Sequence, residues 1–363
     1  MRWTEEQREL RSAVRSLLAR HEGAAAWPPL TGQIGAAGLA VPEEYGGTGG
    51  GARDVHVVME ELGRVLSPAP YLGSAVLATQ ALLVSGDGAA CARLLPGLAV
   101  GRATGSLAWA ERGSWDPAAI RAEAAPGPDA LPGPGGTWRL TGAKEHVLDG
   151  AVADVLLVAA RTRAGVSLFR VAVDDPRVRR EAAVTLDGTR AQARIVLDGA
   201  EGRLVGADGD GDRVLRRVLD LGCTALAAEQ TGAAEHCLRA TVAHVRTRVQ
   251  FGRPIGSFQA VKHRLADAYV LVESARSAAL GAAFAADAGS SELTRRAAVA
   301  KSACSEAFSA VAGEMIQLHG GIGITWEHDA HRYFKRAHGT GLLLGPPAWH
   351  RQRLAAELGL TAV

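Results

Sequence analysis

Residues 248–259, RVQFGRPIGSFQ, lie between two long helical patterns and decide the organisation of the chain. The preceding stretch, residues 213–249, contains no proline, and at about 1.5 Å per residue it predicts a helix roughly 55 Å long. Its middle, residues 223–228, is apolar on every side, which is typical of a helix buried all round. The Gly-Arg-Pro at residues 252–254 ends this helix, and we expect Ser257 to cap the next one.

Further helical segments follow the Gly-Arg-Pro stop. The first of them has apolar residues at helical spacing on one face: Phe258, Val261, Leu265 and Val272. A second helix is predicted through residues 297–318, and another near the C-terminus. This pattern predicts that residues 206–363 form an antiparallel helical bundle.

The first hundred residues also have helical periodicity, interrupted by Gly/Pro-rich loops. Thr4 and Gln7 form a capping-box pattern at the start of the first helix. The glycine-rich residues 42–51, PEEYGGTGGG, are not followed by the Lys-Ser/Thr pair of a phosphate-binding loop. We therefore interpret them as a flexible connection between helices.

The pattern changes between residues 101 and 205. Short apolar runs recur there between Gly, Pro and Asp clusters, at residues 105–109, 155–160, 166–173 and 193–197. Their spacing predicts a compact antiparallel β domain. Residues 126–136, PGPDALPGPGG, are expected to form a surface hairpin loop. The sequence thus predicts an α+β multidomain protein with domains at residues 1–100, 101–205 and 206–363.

Charge and cysteine content exclude several classes of protein. The 363 residues include 40 basic and 38 acidic side chains, for a formal net charge of +2, whereas a nucleic-acid-binding protein usually has a clear basic excess. The four cysteines form no C-x-x-C pair, which argues against a zinc site or a disulfide framework. The N-terminus is charged, and the longest uncharged run, residues 65–86, is broken by proline. We expect a cytoplasmic protein without a membrane span.

A second informative stretch is residues 317–325, QLHGGIGIT. Like residues 248–259, it places a hydrogen-bond donor at a predicted helix end beside a glycine turn. An arginine and exposed backbone amides at such a junction suit a pyrophosphate. Taken singly, each stretch is equally compatible with a simple helix stop.

Taken together, the two stretches resemble the C-terminal signatures of the acyl-CoA dehydrogenase family, R-x-Q-F-G-R-P-I-G-x-F-Q and Q-x-H-G-G-x-G. Residues 39–47 (LAVPEEYGG), 142–144 (GAK) and 153–154 (AD) extend the resemblance over essentially the whole chain. It implies an N-terminal helical domain, a β-barrel-like middle domain and a C-terminal four-helix bundle.

The resemblance also implies a function. Members of the family are lipid-metabolising flavoproteins that hold FAD at a subunit interface and dehydrogenate an acyl-CoA thioester between its α and β carbons. The expected partners are therefore an acyl-CoA substrate, an electron-transfer flavoprotein or similar acceptor, and further copies of this chain or of a homologous one. No metal site is implied.

The nucleotide half of the FAD site is complete in this sequence. Arg248 matches the family arginine that reaches the FAD pyrophosphate of a neighbouring subunit, and Phe251 matches the aromatic residue beside the adenosine. Gln317, Gly320 and Gly321 match the loop that contacts the same half of the cofactor.

The flavin-ring half departs from the family pattern. The family segment Leu-Thr-Glu-Pro is replaced here by a segment that begins with Trp109 and Ala110, so the threonine hydroxyl is lost. Counting from Lys144, His146 occupies the place of a tryptophan that stacks on the ring. Leu148 occupies the place of a Thr or Ser that hydrogen-bonds the ring, and leucine has no donor.

The catalytic base is also missing. The family places its glutamate at one of two positions, which are Leu344 and Gly222 in this chain. Neither residue accepts a proton. Glu229 lies seven residues after Gly222, roughly 10 Å along a helix, and proton abstraction requires a separation of about 3 Å. We therefore interpret Glu229 as structural.

Three further groups of residues fit structural roles better than catalytic or metal-binding ones. Residues 327–331, EHDAH, contain metal-ligating types without a zincin spacing. Cys223 and Cys237 fit buried core thiols. Ser106 and Ser114 lack a His/Asp arrangement.

Three functional hypotheses remain open. The first is a base-less subunit that completes the FAD site of a glutamate-bearing partner chain. The second is a homo-oligomeric dehydrogenase whose base lies elsewhere. The third is a flavin-dependent oxygenase or a non-redox acyl-binding protein of specialised metabolism.

Overall fold

The computed structural model describes residues 3–127 and 137–360, so most of the predicted hairpin loop at residues 126–136 lies outside the described residues. The chain forms two compact units. We call the first the bundle unit; it comprises Met1–Arg20, His56–Ser67 and Cys223–Val363. We call the second the barrel unit; it comprises His21–Val55 and Pro68–Gly222. The predicted helical, β, helical order is observed, whereas the three domain boundaries stay a prediction.

Long helices dominate the bundle unit and the segments that enter it. They are α1 (Glu5–Arg20), α3 (Ala52–Arg64), α6 (Gly211–Thr247), α7 (Gln259–Asp287), α8 (Leu293–His319), α9 (Ala330–Leu342) and α10 (Pro347–Glu357). The α3 and α6 helices approach closely, because a Cβ at Gly63 or Gly232 would overlap the backbone of the other helix. Alanines from α6, α7 and α8 form a tightly packed core cluster.

Two details of the helix prediction are wrong. Ser257 does not cap α7, because Phe258 has an extended backbone with ψ 134° and the helix begins only at Gln259. Ser257 lies instead in a short 3₁₀ turn, Ile255–Ser257. Two helices, α9 and α10, form the C-terminal region where one was predicted. Residues 343–346 separate them: Leu344 and Gly345 have positive φ, and Pro346 is the N-cap of α10.

The barrel unit begins with shorter helices. They are α2 (Trp27–Gly32), the π-helical segment Tyr71–Ala78, α4 (Thr79–Ser85) and α5 (Gly88–Ala99). The glycine-rich connection at residues 42–51 is not a free loop, because backbone hydrogen bonds such as Gly49 N to Val41 O (2.9 Å) and Thr48 N to Gly38 O (3.1 Å) hold it.

Seven strands follow, and four of them coincide with the predicted apolar runs. They are β1 (Gly105–Ala108), β2 (Glu123–Pro126), β3 (Thr137–Leu148), β4 (Val155–Arg161), β5 (Val166–Val171), β6 (Val178–Ala182) and β7 (Gln192–Val205). The pairings β4–β2–β3–β7–β5–β4 close a ring of five strands, to which β1 and β6 are added. Alternate side chains of these strands fill its core.

The strand pairing is mixed, so the prediction of a purely antiparallel domain is wrong. β1 pairs with β4 in parallel, with Gly105 opposite Val155, and β2 meets β4 in parallel at Glu123 and Arg161. Parallel neighbours need a long crossover, and the chain between β1 and β4 supplies one. A bulge interrupts the β3–β7 ladder between Lys144 and Val147.

Candidate FAD and active site

Arg248 lies immediately after α6 ends. The next residues form a hairpin of two short strands, β8 (Val249–Gln250) and β9 (Arg253–Pro254). The Arg248 carbonyl accepts a hydrogen bond from the Ile255 N–H at 2.8 Å, so the base of the hairpin is closed. The hairpin thereby presents the Arg248 side chain at the exposed end of the helix.

Phe251 forms the tip of this hairpin. Its φ is +53°, and Gly252 follows with φ +76°, so the turn needs two residues in the left-handed region. The phenyl ring is 90% exposed and contacts Phe258 only edge-on, with ring centroids 6.1 Å apart. The ring is therefore accessible to a ligand or another chain.

The second predicted loop lies at the end of α8. Gly320 has φ +66° and ψ −145°, a conformation suited to glycine, and its N–H donates to the Gln317 carbonyl. A Cβ added to Gly320 or Gly321 would meet no atom within 4 Å. The backbone of this loop and the exposed Gln317 amide are therefore open to a ligand.

A stack of imidazoles brings the two loops together at one end of the bundle unit. His244, in the last turn of α6, stacks on His319, in the last turn of α8, with ring centroids 4.2 Å apart. Burial and the Arg248 charge lower the pKa of His244. A guanidinium, an amide and an open glycine backbone fit the pyrophosphate and adenosine half of FAD.

At the flavin-ring positions, Trp109 and Ala110 are buried and already bonded. The Trp109 Nε1–H donates to the Trp115 carbonyl at 3.1 Å. The Ala110 carbonyl accepts from the Glu145 N–H at 2.9 Å. Ala110 thus keeps its backbone contact but offers no side-chain hydrogen bond.

A buried ion pair that the sequence analysis missed organises this region. The Glu111 carboxylate accepts from Lys144 Nζ at 2.5 Å and from the backbone N–H groups of Arg121 and Ala122. Burial lowers the pKa of Lys144 to about 8, against the opposing effect of Glu111. The sequence gives no sign that Lys144 pairs with Glu111, because partners 33 residues apart leave no local signal.

His146 lies at the β3 bulge with φ +54°. Its ring stacks on Trp115, with centroids 5.9 Å apart and planes 26° apart, and its Nδ1 is hydrogen-bonded to Gln192 Oε1 at 3.0 Å. Leu148 is buried, and its carbonyl accepts from Ser106 Oγ at 2.6 Å. Of these two positions, His146 retains a planar ring with a polar edge, whereas Leu148 has no polar side-chain atom.

Leu344, at one of the two base positions, is fully buried with φ +59°. Its carbonyl accepts from His350 Nε2 at 2.9 Å. Gly345 follows with φ +101°, and a Cβ there would overlap the Trp349 ring. The turn is therefore well held but carries no proton acceptor. Gly222, at the other base position, lies within α6.

Glu229 is a partner in a buried ion pair. Arg336 Nε donates to Glu229 Oε1 at 3.0 Å, and the guanidinium also donates to the Ser67 carbonyl. Arg336 is 1% and Glu229 3% exposed. A carboxylate neutralised by a buried guanidinium is a poor proton acceptor, so the geometry supports the structural interpretation of Glu229.

The contacts of the weaker candidates fit structural roles. Cys223 and Cys237 are buried in the core, as expected. The Ser114 hydroxyl accepts from the Asp116 N–H at 3.2 Å. Within residues 3–127 and 137–360, no group of three or more His, Cys, Asp or Glu side chains is placed to hold a metal ion. None of the described helices has the length and apolarity required to cross a membrane.

The five-stranded ring, the long helices and a donor set that fits a pyrophosphate agree with an FAD-dependent oxidoreductase that acts on acyl-CoA. Comparison with known families agrees. The family description "Acyl-CoA dehydrogenase, C-terminal domain" matches residues 209–359, and "Acyl-CoA dehydrogenase, N-terminal domain" matches residues 4–102. The chain belongs to the acyl-CoA dehydrogenase family, whose members are FAD-dependent flavoproteins.

Individual relatives cover almost the whole chain. It is 40% identical over 369 residues to the acyl-CoA dehydrogenase IpdE2 of Mycobacterium tuberculosis (strain ATCC 25618 / H37Rv), with 98% of each chain covered. A solved variant of the Tcur3481-Tcur3483 steroid ACAD is similar with a TM-score of 0.87, 33% identity and 98% coverage of each chain. The ChsE4-ChsE5 complex from Mycobacterium tuberculosis is similar with a TM-score of 0.87 and 31% identity, covering 100% of this chain and 99% of that one.

Proposed function

We propose that this chain is the base-less subunit of a heteromeric acyl-CoA dehydrogenase. The observation that carries the proposal is the turn at Leu344, which is buried and held by His350 but bears no carboxylate. The other base position, Gly222, has no side chain. Loss of a positioned base costs about 10²- to 10⁴-fold in rate, so a glutamate-bearing partner chain supplies the base.

The residues at the proposed nucleotide-binding end support a role in contacting an FAD that is held mainly by the partner chain. Arg248, Gln317 and the Gly320–Gly321 backbone would hold the pyrophosphate and adenosine of an FAD whose ring lies in the neighbouring chain. The side chains of Ala110 and Leu148 offer this chain's own ring position no hydrogen bond. When bound, FAD accepts the hydride that leaves the β-carbon, while the partner's carboxylate takes the α-proton. An electron-transfer flavoprotein or similar acceptor reoxidises the assembly.

Two similar structures support a two-component assembly and a bulky substrate. Their titles describe a steroid ACAD with two components, Tcur3481-Tcur3483, and a ChsE4-ChsE5 complex. On this basis we propose that the substrate is the CoA thioester of a bulky acyl group, such as one derived from a sterol side chain.

Native mass spectrometry tests the proposal. The chain is purified alone and together with a glutamate-bearing acyl-CoA dehydrogenase chain from the same organism. We expect the assembly to hold about one FAD per two chains, because in this proposal only the partner chain holds a flavin ring, and this chain supplies nucleotide contacts without holding a ring of its own. One FAD bound to every copy of this chain would refute the proposal.

Turnover gives a second test on the same preparations. With a conventional electron acceptor, the pure chain should dehydrogenate no acyl-CoA above background, and the co-purified assembly should be active. Robust turnover by the pure chain would instead favour a homo-oligomeric dehydrogenase with a base at another position.

A further inference from the structure

Three imidazoles contact one another at the end of the bundle unit, and Arg248 follows the first of them, His244, by one helical turn. The His244 and His319 ring centroids are 4.2 Å apart, with planes 28° apart. The His319 and His328 centroids are 4.4 Å apart, with planes 45° apart. The rings come from the last turn of α6, the last turn of α8 and the segment before α9. The proposed function assigns these three imidazoles no role.

Hydrogen bonds decide which rings can take up a proton. His319 Nδ1 lies 2.7 Å from the Met315 carbonyl, so this nitrogen donates and Nε2 is left to titrate. His328 Nδ1 already accepts a hydrogen bond from the Ala330 N–H at 3.0 Å. His244 and His319 are therefore the rings that can gain a proton while every hydrogen bond described here is kept.

The surroundings disfavour a proton on both rings. Burial lowers the pKa of His244, and Arg248 and His328 lower it further. Burial also lowers the pKa of His319, with His244 and His328 adding to the effect and the Met315 bond opposing it. The groups that act on the pair thus come from α6, α8 and the segment before α9. The charged groups among them are cations or become cations on protonation.

We propose that His244 and His319 are a proton-accepting part of the diphosphate site, so that one imidazole gains a proton from solvent when a nucleotide diphosphate binds to Arg248. A bound diphosphate carries negative charge into a cluster of like-charged groups. It neutralises the repulsion from Arg248 and adds attraction for an imidazolium. The helix C-termini on which both rings stand favour a positive charge as well.

This inference rests on the proposed role of Arg248 toward FAD and adds regulation by pH to it. An opposite charge within about 4–6 Å raises a pKa by about 1–3 units. Because binding raises the pKa, FAD affinity is lowest above the pKa of the bound state and increases as the pH falls. The increase ends below the pKa of the free state. Binding at mildly acidic pH should therefore be tighter.

The experiment measures FAD affinity of the purified assembly by flavin fluorescence at about pH 6 and about pH 8, at constant ionic strength. We expect about tenfold tighter binding at the lower pH. His244→Phe keeps a stacking ring but cannot be protonated, so it should reduce the dependence to about threefold or less. His338→Phe, on an exposed ring of α9, is the matched control and should keep the full dependence.

Titration calorimetry in two buffers of different ionisation enthalpy gives a second readout. The wild-type assembly should take up about one proton per FAD bound near neutral pH, and His244→Phe should take up clearly less. His319→Gln serves the same purpose if His244→Phe fails to assemble.

The outcomes distinguish a failure of the proton linkage from a failure of the proposed role of Arg248. If Arg248→Ala leaves FAD affinity unchanged, the proposed role of Arg248 is wrong. If Arg248→Ala weakens FAD binding but wild-type affinity is the same at both pH values, the role of Arg248 stands and the proton linkage is overturned. The linkage is also overturned if His244→Phe and His319→Gln both keep the wild-type pH dependence.

Discussion

The proposed nucleotide-binding end of the bundle unit keeps the family's residues, whereas the proposed flavin-ring positions of the barrel unit do not. At the first, Arg248, Gln317 and Gly320 keep both their chemistry and their exposure. At the second, Ala110 and Leu148 keep only backbone contacts, through the Glu145 N–H and the Ser106 hydroxyl.

The base position repeats the pattern of the ring positions. The Leu344 carbonyl still accepts a hydrogen bond from His350, although the leucine side chain has no catalytic use. Backbone geometry and side-chain chemistry are therefore separable: hydrogen bonds to main-chain atoms preserve the fold at positions where the functional side chain is absent. This is the pattern expected of a subunit that supports a site in its neighbour.

The largest expected effect concerns Glu229, the carboxylate that sequence alone offers as a substitute base. Glu229→Gln leaves the Arg336 charge buried without its counter-charge and should lower the free energy of unfolding by about 3–5 kcal/mol. Urea denaturation measures this change. Glu327→Gln, on an exposed carboxylate, is the matched control and should change stability by less than about 0.5 kcal/mol.

The double variant Glu229→Leu/Arg336→Met sharpens the same test. It removes both charges at once and should recover most of the lost stability. A Glu229→Gln assembly that is fully stable but has lost turnover would contradict the structural role and identify Glu229 as the base.

The next prediction tests the proposed nucleotide-binding end of the bundle unit. Arg248→Ala should weaken FAD binding to the assembly by about 1.5–3 kcal/mol, because a charge-assisted hydrogen bond to the diphosphate is lost. Equilibrium dialysis with flavin absorbance measures the affinity. Arg248→Lys keeps the charge without the bidentate geometry and should show an intermediate loss. Equal affinities of wild type and Arg248→Ala would show that this end has lost its function too.

The third effect tests whether His350 holds the Leu344 turn. Burial, chiefly, lowers the pKa of His350 to about 3. Because the folded-state pKa is depressed below the unfolded value, stability is full above about pH 6.5 and is lost as the pH falls toward the folded pKa. Between about pH 7 and pH 5 this single group should cost about 2 kcal/mol.

His350→Leu should abolish that acid-sensitive part of the stability, at the cost of about 1–3 kcal/mol at neutral pH for the unsatisfied Leu344 carbonyl. Denaturation at the two pH values measures both quantities, with His338→Leu as the control on an exposed ring. If His350→Leu and wild type lose the same stability on acidification, His350 does not determine the acid response.

The smallest expected effect concerns the proposed flavin-ring positions, where Ala110 and Leu148 lack a side-chain hydroxyl. Ala110→Thr or Leu148→Thr restores a hydroxyl at a ring position, and each should tighten flavin binding to this chain by about 0.5–1.5 kcal/mol. The FAD content of the purified single chain measures the gain. Ala110→Val and Leu148→Val are the matched controls of similar shape without the hydroxyl. An equal gain from valine and threonine would show that packing, and not hydrogen bonding, limits flavin retention.

Much of the architecture could be predicted from local patterns. The helix predicted over residues 213–249 is α6, which ends at Thr247, and four apolar runs became strands. Periodicity and glycine or proline stops depend on neighbouring residues only, so the sequence displays them. The cap at Ser257 was predicted wrongly, because the backbone of the following Phe258 is extended and delays the helix start.

The contacts that define the site could not be predicted in this way. Lys144 pairs with Glu111, Arg336 with Glu229, and His244 with His319, and the partners of these pairs are between 33 and 107 residues apart. Local periodicity has no information about which distant side chains meet. The motifs predicted where a nucleotide binds, but not what surrounds it.

By itself, the sequence determined the family, the order of helical and β regions, the intact nucleotide signatures and the absence of a carboxylate at Leu344 and Gly222. These properties depend on residue identity and short-range spacing. Only the tertiary structure decided that Glu229 is neutralised by a buried arginine, that His350 holds the Leu344 turn and that three imidazoles contact one another near Arg248. Such properties arise when burial removes water from charged groups and folding brings distant groups into contact, so each side chain takes its chemical character from its neighbours in space.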